Sequence, residues 1–354
     1  MPTLRRHRDI LLVDQRGSGG SNALACVRPP PDPERPPAEQ FLEFIGRCRD
    51  TLSTRADLRH YNTSAAMHDL EAVRRWLGYR RLNLFGASYG TQAAQVYARQ
   101  YPDRVRTMVL HGVVPLDVPM PLDLARSAQR ALELVVGLCA QDARCHAAFP
   151  SLRRALDSLS RAGATGDPTP REMIVAALAS ARGIAEVPRM LTRLANGNPL
   201  MGPPPSGPPG GGPPMGVRLA ILCGEAMALV DTARMADATA GTLTGDGQIR
   251  FQRRWCERWP AAALPRGFAK PVVSTVPTLL LTGSLDPTTP PAYAERVARS
   301  LSAAVHIVLA NRSHNDRDEC MMRLLESHVL AGGTRGTVAA CAAAPTPIAF
   351  STEP

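Results

Sequence analysis

The sequence predicts an α/β chain on a mostly parallel sheet, and three observations carry that expectation. Short unbroken apolar runs alternate with longer amphipathic stretches, the pattern of buried parallel strands joined by crossover helices. Two of the runs lead straight into glycine turns. A chain of 354 residues, 44% hydrophobic and 20% charged, can bury a large core and is not wholly disordered.

Taken in order, Ile10-Leu11-Leu12-Val13 reads as a buried strand ending in the loop Asp14 to Ser21. That loop lacks a Gly-Lys-Ser/Thr ending and the dinucleotide glycine spacing, so it reads as a turn flooring a site, not a phosphate cradle. Residues 29–38 are proline-rich loop. A helix capped at Thr63-Ser64 should bury Met67, Leu70, Val73 and Leu77 and stop at Gly78. Leu82 to Gly86 is the next strand, Thr91 to Gln100 an Ala-rich helix stopped by Tyr101-Pro102, and Arg106 to Leu110 a third strand. From 117 to 260 the texture is helical, an inserted lid interrupted by a Gly/Pro-rich loop at 198–216. Strand texture returns at Thr278–Gly283 and Val305–Leu309, and a helix covers Met321 to Leu330. The expected division is therefore 1–116 and 261–354 as two parts of a core, with the lid between them.

The formal charge of +10 comes from 41 basic residues, of which one is a lysine, Lys270. Scattered arginines such as Arg74-Arg75 and Arg153-Arg154 read as solvated helix surface, so no nucleic-acid partner is expected. No window holds the ~18 unbroken apolar residues of a membrane-spanning helix. The 8 cysteines fall as consecutive pairs: Cys26 and Cys48, Cys139 and Cys145, Cys223 and Cys256, Cys320 and Cys341. No CxxC occurs and Cys139 to His146 matches no common zinc spacing, so disulfides in an oxidising compartment are expected in preference to a metal site or free buried thiols.

The chemistry concentrates at Gly86-Ala87-Ser88-Tyr89-Gly90, a G-x-S-x-G with a strand before it and a helix after it. A sharp strand-to-helix turn lifts the hydroxyl out of the sheet and sets it at a helix N-terminus, where backbone N–H groups face developing negative charge. Serine is a weak nucleophile and needs a base, which in turn needs an orienting acid. Asp286 and His314 each stand just past the carboxyl end of an expected parallel strand, where such sheets carry their sites. His306 inside a strand, His111 at a strand end, and His68 and His328 on helix surfaces compete less well, as do Asp316 and Asp318 on a loop.

Asp14-Gln15-Arg16-Gly17-Ser18-Gly19-Gly20-Ser21, Gly86-Ala87-Ser88-Tyr89-Gly90-Thr91 and Asp286-Pro287-Thr288-Thr289-Pro290-Pro291 together resemble the α/β-hydrolase serine peptidases of the prolyl and tripeptidyl aminopeptidase group. The resemblance runs through nearly the whole chain and extends to a TAP-like C-terminal part. It implies an α/β-hydrolase fold with a helical lid, and an exported exopeptidase that removes short or proline-containing units from peptide N-termini. Ser88 would be the nucleophile, His314 base and acid, Asp286 the orienting carboxylate, and the Tyr89 N–H an oxyanion donor. No cofactor or metal is implied, the partner is a peptide substrate and not a membrane, and the compartment is periplasmic or secreted. A free α-amino group calls for a carboxylate in the lid, and Glu225 in Cys223-Gly224-Glu225 is the candidate, its loop fixed by a Cys223 to Cys256 bridge.

Two departures from the family pattern stand out, a missing loop and a missing strand next to β-strand Leu82–Phe85. Family members carry a Gly-Gly-Pro-Gly loop before the Asp-Gln-Arg-Gly strand, whereas nine residues precede Ile10 here and none forms that loop. The expectation is a sequence starting partway into a longer exported enzyme, with the sheet gapped between Ile10–Val13 and Leu82–Phe85. The alternative is a shortened relative in which those strands pair directly. For function, the alternatives are an esterase or amidase of the same fold, or an impaired relative that binds peptides without turnover.

Overall fold

The computed structural model describes residues 2–162, 169–200, 213–314, 316–333 and 340–353. Its centre is a four-stranded parallel sheet in the order β1-β2-β3-β4, made of Leu82–Ala87, Val105–His111, Thr278–Gly283 and Ala304–Leu309. The inner strands follow from their sequences. All six residues of β3 are buried, as are all but Arg106 of β2, because a parallel strand with helices on both faces has no wet side. Alternation then divides the side chains: Met108, Leu110 and Leu280 face one core, and Val109, Leu279 and Leu281 the other. Fully burying one such side chain contributes about 1.5–3 kcal/mol.

Helices close both faces. After the short turn α1 (Pro2–Arg5), α2 (Pro37–Ser53) and α3 (Thr63–Trp76) precede β1, and α4 (Tyr89–Gln100) links β1 to β2. Met67 and Ala94 of α3 and α4 join α13 (Pro291–Ala298) in the first core. Met321, Leu324 and Leu325 of α14 (Glu319–Ala331) fill the second. Helix α3 begins one residue earlier than a Thr63 cap implies. Asn62 is the cap, accepting from the Ala65 N–H at 2.9 Å, while Thr63 is turned inward. Its buried stripe is also rotated: Glu71 and Arg74 are inside, Leu70 and Val73 half-buried, and Leu77 exposed. Arg74 is thus not solvated surface. It forms a two-point pair with Glu71, which also accepts from the Tyr97 hydroxyl at 2.9 Å, so the charges enter the core with partners.

Between β2 and β3 lies a helical layer: α5 (Met120–Gln141), α6 (Ala143–Ala148), α7 (Leu152–Arg161), α8 (Thr169–Ala177), α9 (Ala181–Ala195), α10 (Met215–Ile221), α11 (Met235–Thr239) and α12 (Gly247–Cys256). It holds its own core, with Leu132, Val135, Leu156, Ile174, Ile184 and Leu191 buried together. Of the Gly/Pro loop expected at 198–216, residues 201–212 lie outside the described residues, and Met215 and Gly216 already belong to α10.

The expected first strand does not form. Ile10–Val13 belongs to no strand, and Leu12 is 90% exposed. No described strand lies beside it, so its backbone groups have water and no ladder to satisfy them. Nor does it pair with β1, whose sole partner among the described residues is β2 and whose Phe85 is exposed. The tethers at each end of the segment are side chains: the Tyr79 hydroxyl donates to Asp9 and Gln15 reaches Tyr89.

All eight cysteines are bridged in the expected pairs, Cys26–Cys48, Cys139–Cys145, Cys223–Cys256 and Cys320–Cys341. The last ties α14 to α15 (Ala340–Ala343). Disulfides persist where the redox poise is oxidising, so four of them are consistent with an extracytoplasmic protein. Among the described residues no helix is long and apolar enough to cross a membrane.

Candidate active site

Ser88 sits between β1 and α4 with φ 53° and ψ −122°, a left-handed conformation that a non-glycine residue holds only when its surroundings enforce it. The enforcement is visible. The Ser88 N–H donates to the His111 carbonyl at 2.9 Å, and the Ser88 carbonyl accepts from the N–H and hydroxyl of Thr91 at 2.8 and 2.7 Å. The two motif glycines are not equivalent. A Cβ on Gly86 would lie 2.2 Å from the Gly90 carbonyl oxygen, whereas a Cβ on Gly90 meets nothing within 4 Å. The chain therefore needs a bare backbone at the strand end, and not at the helix start.

Asp286 and His314 arrive on neighbouring loops at the carboxyl ends of β3 and β4. The loops are stitched together: Ser284 N–H donates to the Leu309 carbonyl at 3.0 Å, Leu285 N–H to Arg312 at 3.0 Å, and Asn311 N–H to the Ser284 hydroxyl at 2.9 Å. Residues 88, 286 and 314, remote in the chain, meet at hydrogen-bond distance. His314 Nε2 is 3.0 Å from Ser88 Oγ, and its Nδ1 is 2.9 Å from Asp286 Oδ2. Asp286 is 1% exposed. Burial works to raise its pKa, but the bonds from His314 and from Thr289 outweigh that and hold it below the usual carboxylate value.

Tyr89 opens α4, where the first N–H groups have no intrahelical acceptor, which suits the expected oxyanion role. Its side chain is anchored by a directed chain of hydrogen bonds. Gln15 Nε2 donates to the Tyr89 hydroxyl at 3.0 Å, Tyr89 bonds Thr63 Oγ1 at 2.9 Å, and Thr63 donates its hydroxyl to Glu225 Oε2 at 2.7 Å and its N–H to Oε1 at 2.6 Å. Since Thr63 spends its one proton on the carboxylate, Tyr89 is the donor in the middle bond. Burial pushes the Tyr89 phenol up to about 12. The loop Asp14–Ser21, expected as floor, thus braces the residue after Ser88.

Glu225 is 4% exposed and makes no ion pair among the described residues. Burial raises its pKa, and the bonds from Thr63 oppose that. It lies at the N-terminus of α3 and lines a pocket with Tyr61, Asn62, Gly224, Pro260 and Ala262, a pocket that Ser88 and His314 do not line.

The competing residues are placed elsewhere. His306 bonds Thr282 at 2.8 Å, and the exposed His68 bonds Tyr101. His328, read as helix surface, is fully buried against the Pro277 carbonyl because that face of α14 packs on the sheet. Asp316 and Asp318 are not free loop: the first accepts from Ser313 N–H at 2.7 Å, and the second caps α14 and pairs with Arg312. His111 is 3% exposed beside the site, and burial followed by the nearby His314 lowers its pKa to about 4. Sequence reasoning missed Thr289, Thr63 and Gly112. A threonine three residues after an aspartate is the one signal that could have flagged the first. Among the described residues no cluster of three potential metal ligands occurs.

Comparison with known proteins agrees with the fold. A model of the alpha/beta hydrolase fold matches residues 1–136, and one of TAP-like proteins matches residues 244–341. Serine protease Hip1 of Mycobacterium tuberculosis (strain ATCC 25618 / H37Rv) is 26% identical over 94% of this chain and 74% of its own length. Tripeptidyl aminopeptidase of Streptomyces lividans is 32% identical over 30% of this chain and 22% of its own length. Proline iminopeptidase of Neisseria gonorrhoeae is 29% identical over 29% of this chain and 24% of its own length. By its fold and its first matched region the chain is an α/β hydrolase, and it is similar to TAP-like proteins in its C-terminal part and to peptidases of that fold.

Proposed function

We propose that the chain is a serine exopeptidase of the periplasm or extracellular space that cleaves short units from peptide N-termini through an acyl-enzyme. The observation that carries the reading is the pair of bonds on His314, one to Ser88 and one to Asp286. Ser88 Oγ attacks the scissile carbonyl as its proton passes to Nε2, and the imidazolium is steadied by the buried Asp286 carboxylate. The oxyanion forms against the Tyr89 N–H, a donor of a kind whose removal costs roughly 10²–10³ in rate. His314 then protonates the leaving amine, and a water activated by the same imidazole hydrolyses the ester. The four disulfides support the compartment.

Glu225 is the group for the substrate α-ammonium. A buried carboxylate with no cation is expensive to keep ionised, and an ammonium supplies the missing charge. Hydrogen bonds through Thr63 link it to the side chain of Tyr89, the residue after the serine, which supports the assignment.

A fluorophosphonate should label the chain and fail to label Ser88→Ala; equal labelling of both overturns the triad. Aminoacyl- and tripeptidyl-naphthylamides should be cleaved and their N-acetylated forms spared. Preference for short acyl esters would make the chain an esterase. Glu225→Gln should raise KM for free-amine substrates by about tenfold while leaving the labelling rate near that of the parent chain.

A further inference from the structure

We infer that Thr289 is a positioning residue of the site, a fourth member that sets which nitrogen of His314 carries the proton; the inference rests on the triad reading above. Thr289 is 0% exposed, and its backbone N–H and hydroxyl both donate to Asp286, at 2.7 Å to Oδ1 and 2.6 Å to Oδ2. Its hydroxyl oxygen also lies 3.0 Å from His314 Nδ1, which is itself 2.9 Å from Asp286 Oδ2. The protons can be counted. An ionised carboxylate only accepts, so the single Thr289 proton goes to Asp286. The Thr289 oxygen is then left as an acceptor, and a proton on His314 Nδ1 faces two acceptors, Oδ2 and Oγ1. A proton on Nε2 would instead leave Nδ1 with a lone pair against both oxygens. Thr289 thus holds the tautomer whose Nε2 lone pair points to Ser88, 3.0 Å away.

The geometry tolerates little slack. Thr288 N–H donates to Asp286 Oδ1 at 2.8 Å, so the carboxylate cannot swing to compensate for a lost hydroxyl. On the other side Gly112, at φ +62°, presents bare backbone: a Cβ there would lie 3.0 Å from Thr289 Oγ1 and 3.2 Å from His314 Cε1. The threonine hydroxyl and the imidazole thus both pack against the same bare backbone. Charge-assisted bonds of this kind exceed neutral ones in strength.

The test compares Thr289→Val, which keeps the shape and removes the hydroxyl, with Thr289→Ser, which keeps the hydroxyl. Thr278→Val removes another fully buried hydroxyl, one that donates to the Val276 carbonyl at 2.8 Å, and serves as the structural control. Thr289→Val should lower kcat about 10–100-fold with KM within about twofold, and shift the proton NMR resonance of His314 Nδ1–H. Thr289→Ser should restore both to near the parent values, and Thr278→Val should leave both unchanged. A Thr289→Val enzyme with parent kcat and an unmoved resonance overturns the inference, as does a Thr278→Val enzyme equally impaired. Fluorophosphonate labelling of the parent chain separates the two levels: if it labels at Ser88 and Thr289→Val is silent, the Thr289 role fails alone; if nothing depends on Ser88, the triad reading fails with it.

Discussion

The two glycines of Gly86-Ala87-Ser88-Tyr89-Gly90 are interchangeable as a motif and opposite as structure, and Gly86→Ala against Gly90→Ala exposes the difference. A methyl on Gly86 would sit 2.2 Å from the Gly90 oxygen, 2.5 Å from its carbonyl carbon and 2.9 Å from the Thr91 nitrogen, all backbone. Ordinary contact begins near 3.4 Å, so β1 and the first turn of α4 must part by roughly an ångström. Overpacking of this sort costs about 1–3 kcal/mol, or a few degrees in Tm for a chain this long. The larger effect is on chemistry. Thr91 holds the Ser88 carbonyl at 2.7 Å and the Val114 N–H at 2.9 Å, so displacing Thr91 moves the nucleophile. A misplacement near 1 Å can cost about 10²-fold. Gly90→Ala meets nothing, and alanine is the better helix former by up to about 1 kcal/mol. Fluorophosphonate labelling rates and thermal unfolding on the three proteins are the assay. Gly86→Ala should label about 100-fold slower and melt earlier, and Gly90→Ala should label at the parent rate and melt no earlier than the parent. Equal loss in the two variants would refute the reasoning, because the motif and not the backbone contact would then be the cause.

Two further outcomes follow from charge and topology. His111 titrates near 6.5 when unfolded and near 4 when folded, among His314, Asp286, Asp316 and Arg317, so the unfolded chain binds the extra proton between those values. Stability should therefore fall as pH drops from about 6.5 to 4, by about 3 kcal/mol from this residue. His306 and His328, also held neutral by burial, act in the same direction. Urea unfolding of the parent and His111→Gln at pH 7 and pH 4.5 checks it: a variant with undiminished pH dependence would remove His111 as a source. Among the bridges, Cys223–Cys256 closes a separation of 33 residues and Cys139–Cys145 one of 6, so loop entropy predicts losses of about 4 and about 2 kcal/mol when each pair is replaced by serine. Denaturant midpoints that reverse the order would show that native-state strain, and not loop length, governs them.

What could be read from the linear chain was what local chemistry determines. Apolar runs marked β1 to β4, a glycine-flanked serine between a strand and a helix marked the elbow, and Asp286 and His314 were marked by standing just beyond strand ends. These signals survive without a partner because they depend on residues adjacent in sequence. The same kind of signal failed at Ile10–Val13, where four apolar residues have the propensity of a strand but no ladder to join; strand formation is a property of pairs. It failed again at Arg74, Asp318 and His328, which composition assigns to water and the fold assigns to Glu71, Arg312 and the Pro277 carbonyl. Tertiary structure alone decided that Thr289 joins the acid to the base, that Gly112 floors the imidazole, and that Gln15, Tyr89 and Thr63 form one line of donors ending on the Glu225 carboxylate. Apart from the short step from Asp286 to Thr289, each is a contact across tens to hundreds of residues, where no periodicity reaches and only the closing of the fold brings the atoms within a bond of one another.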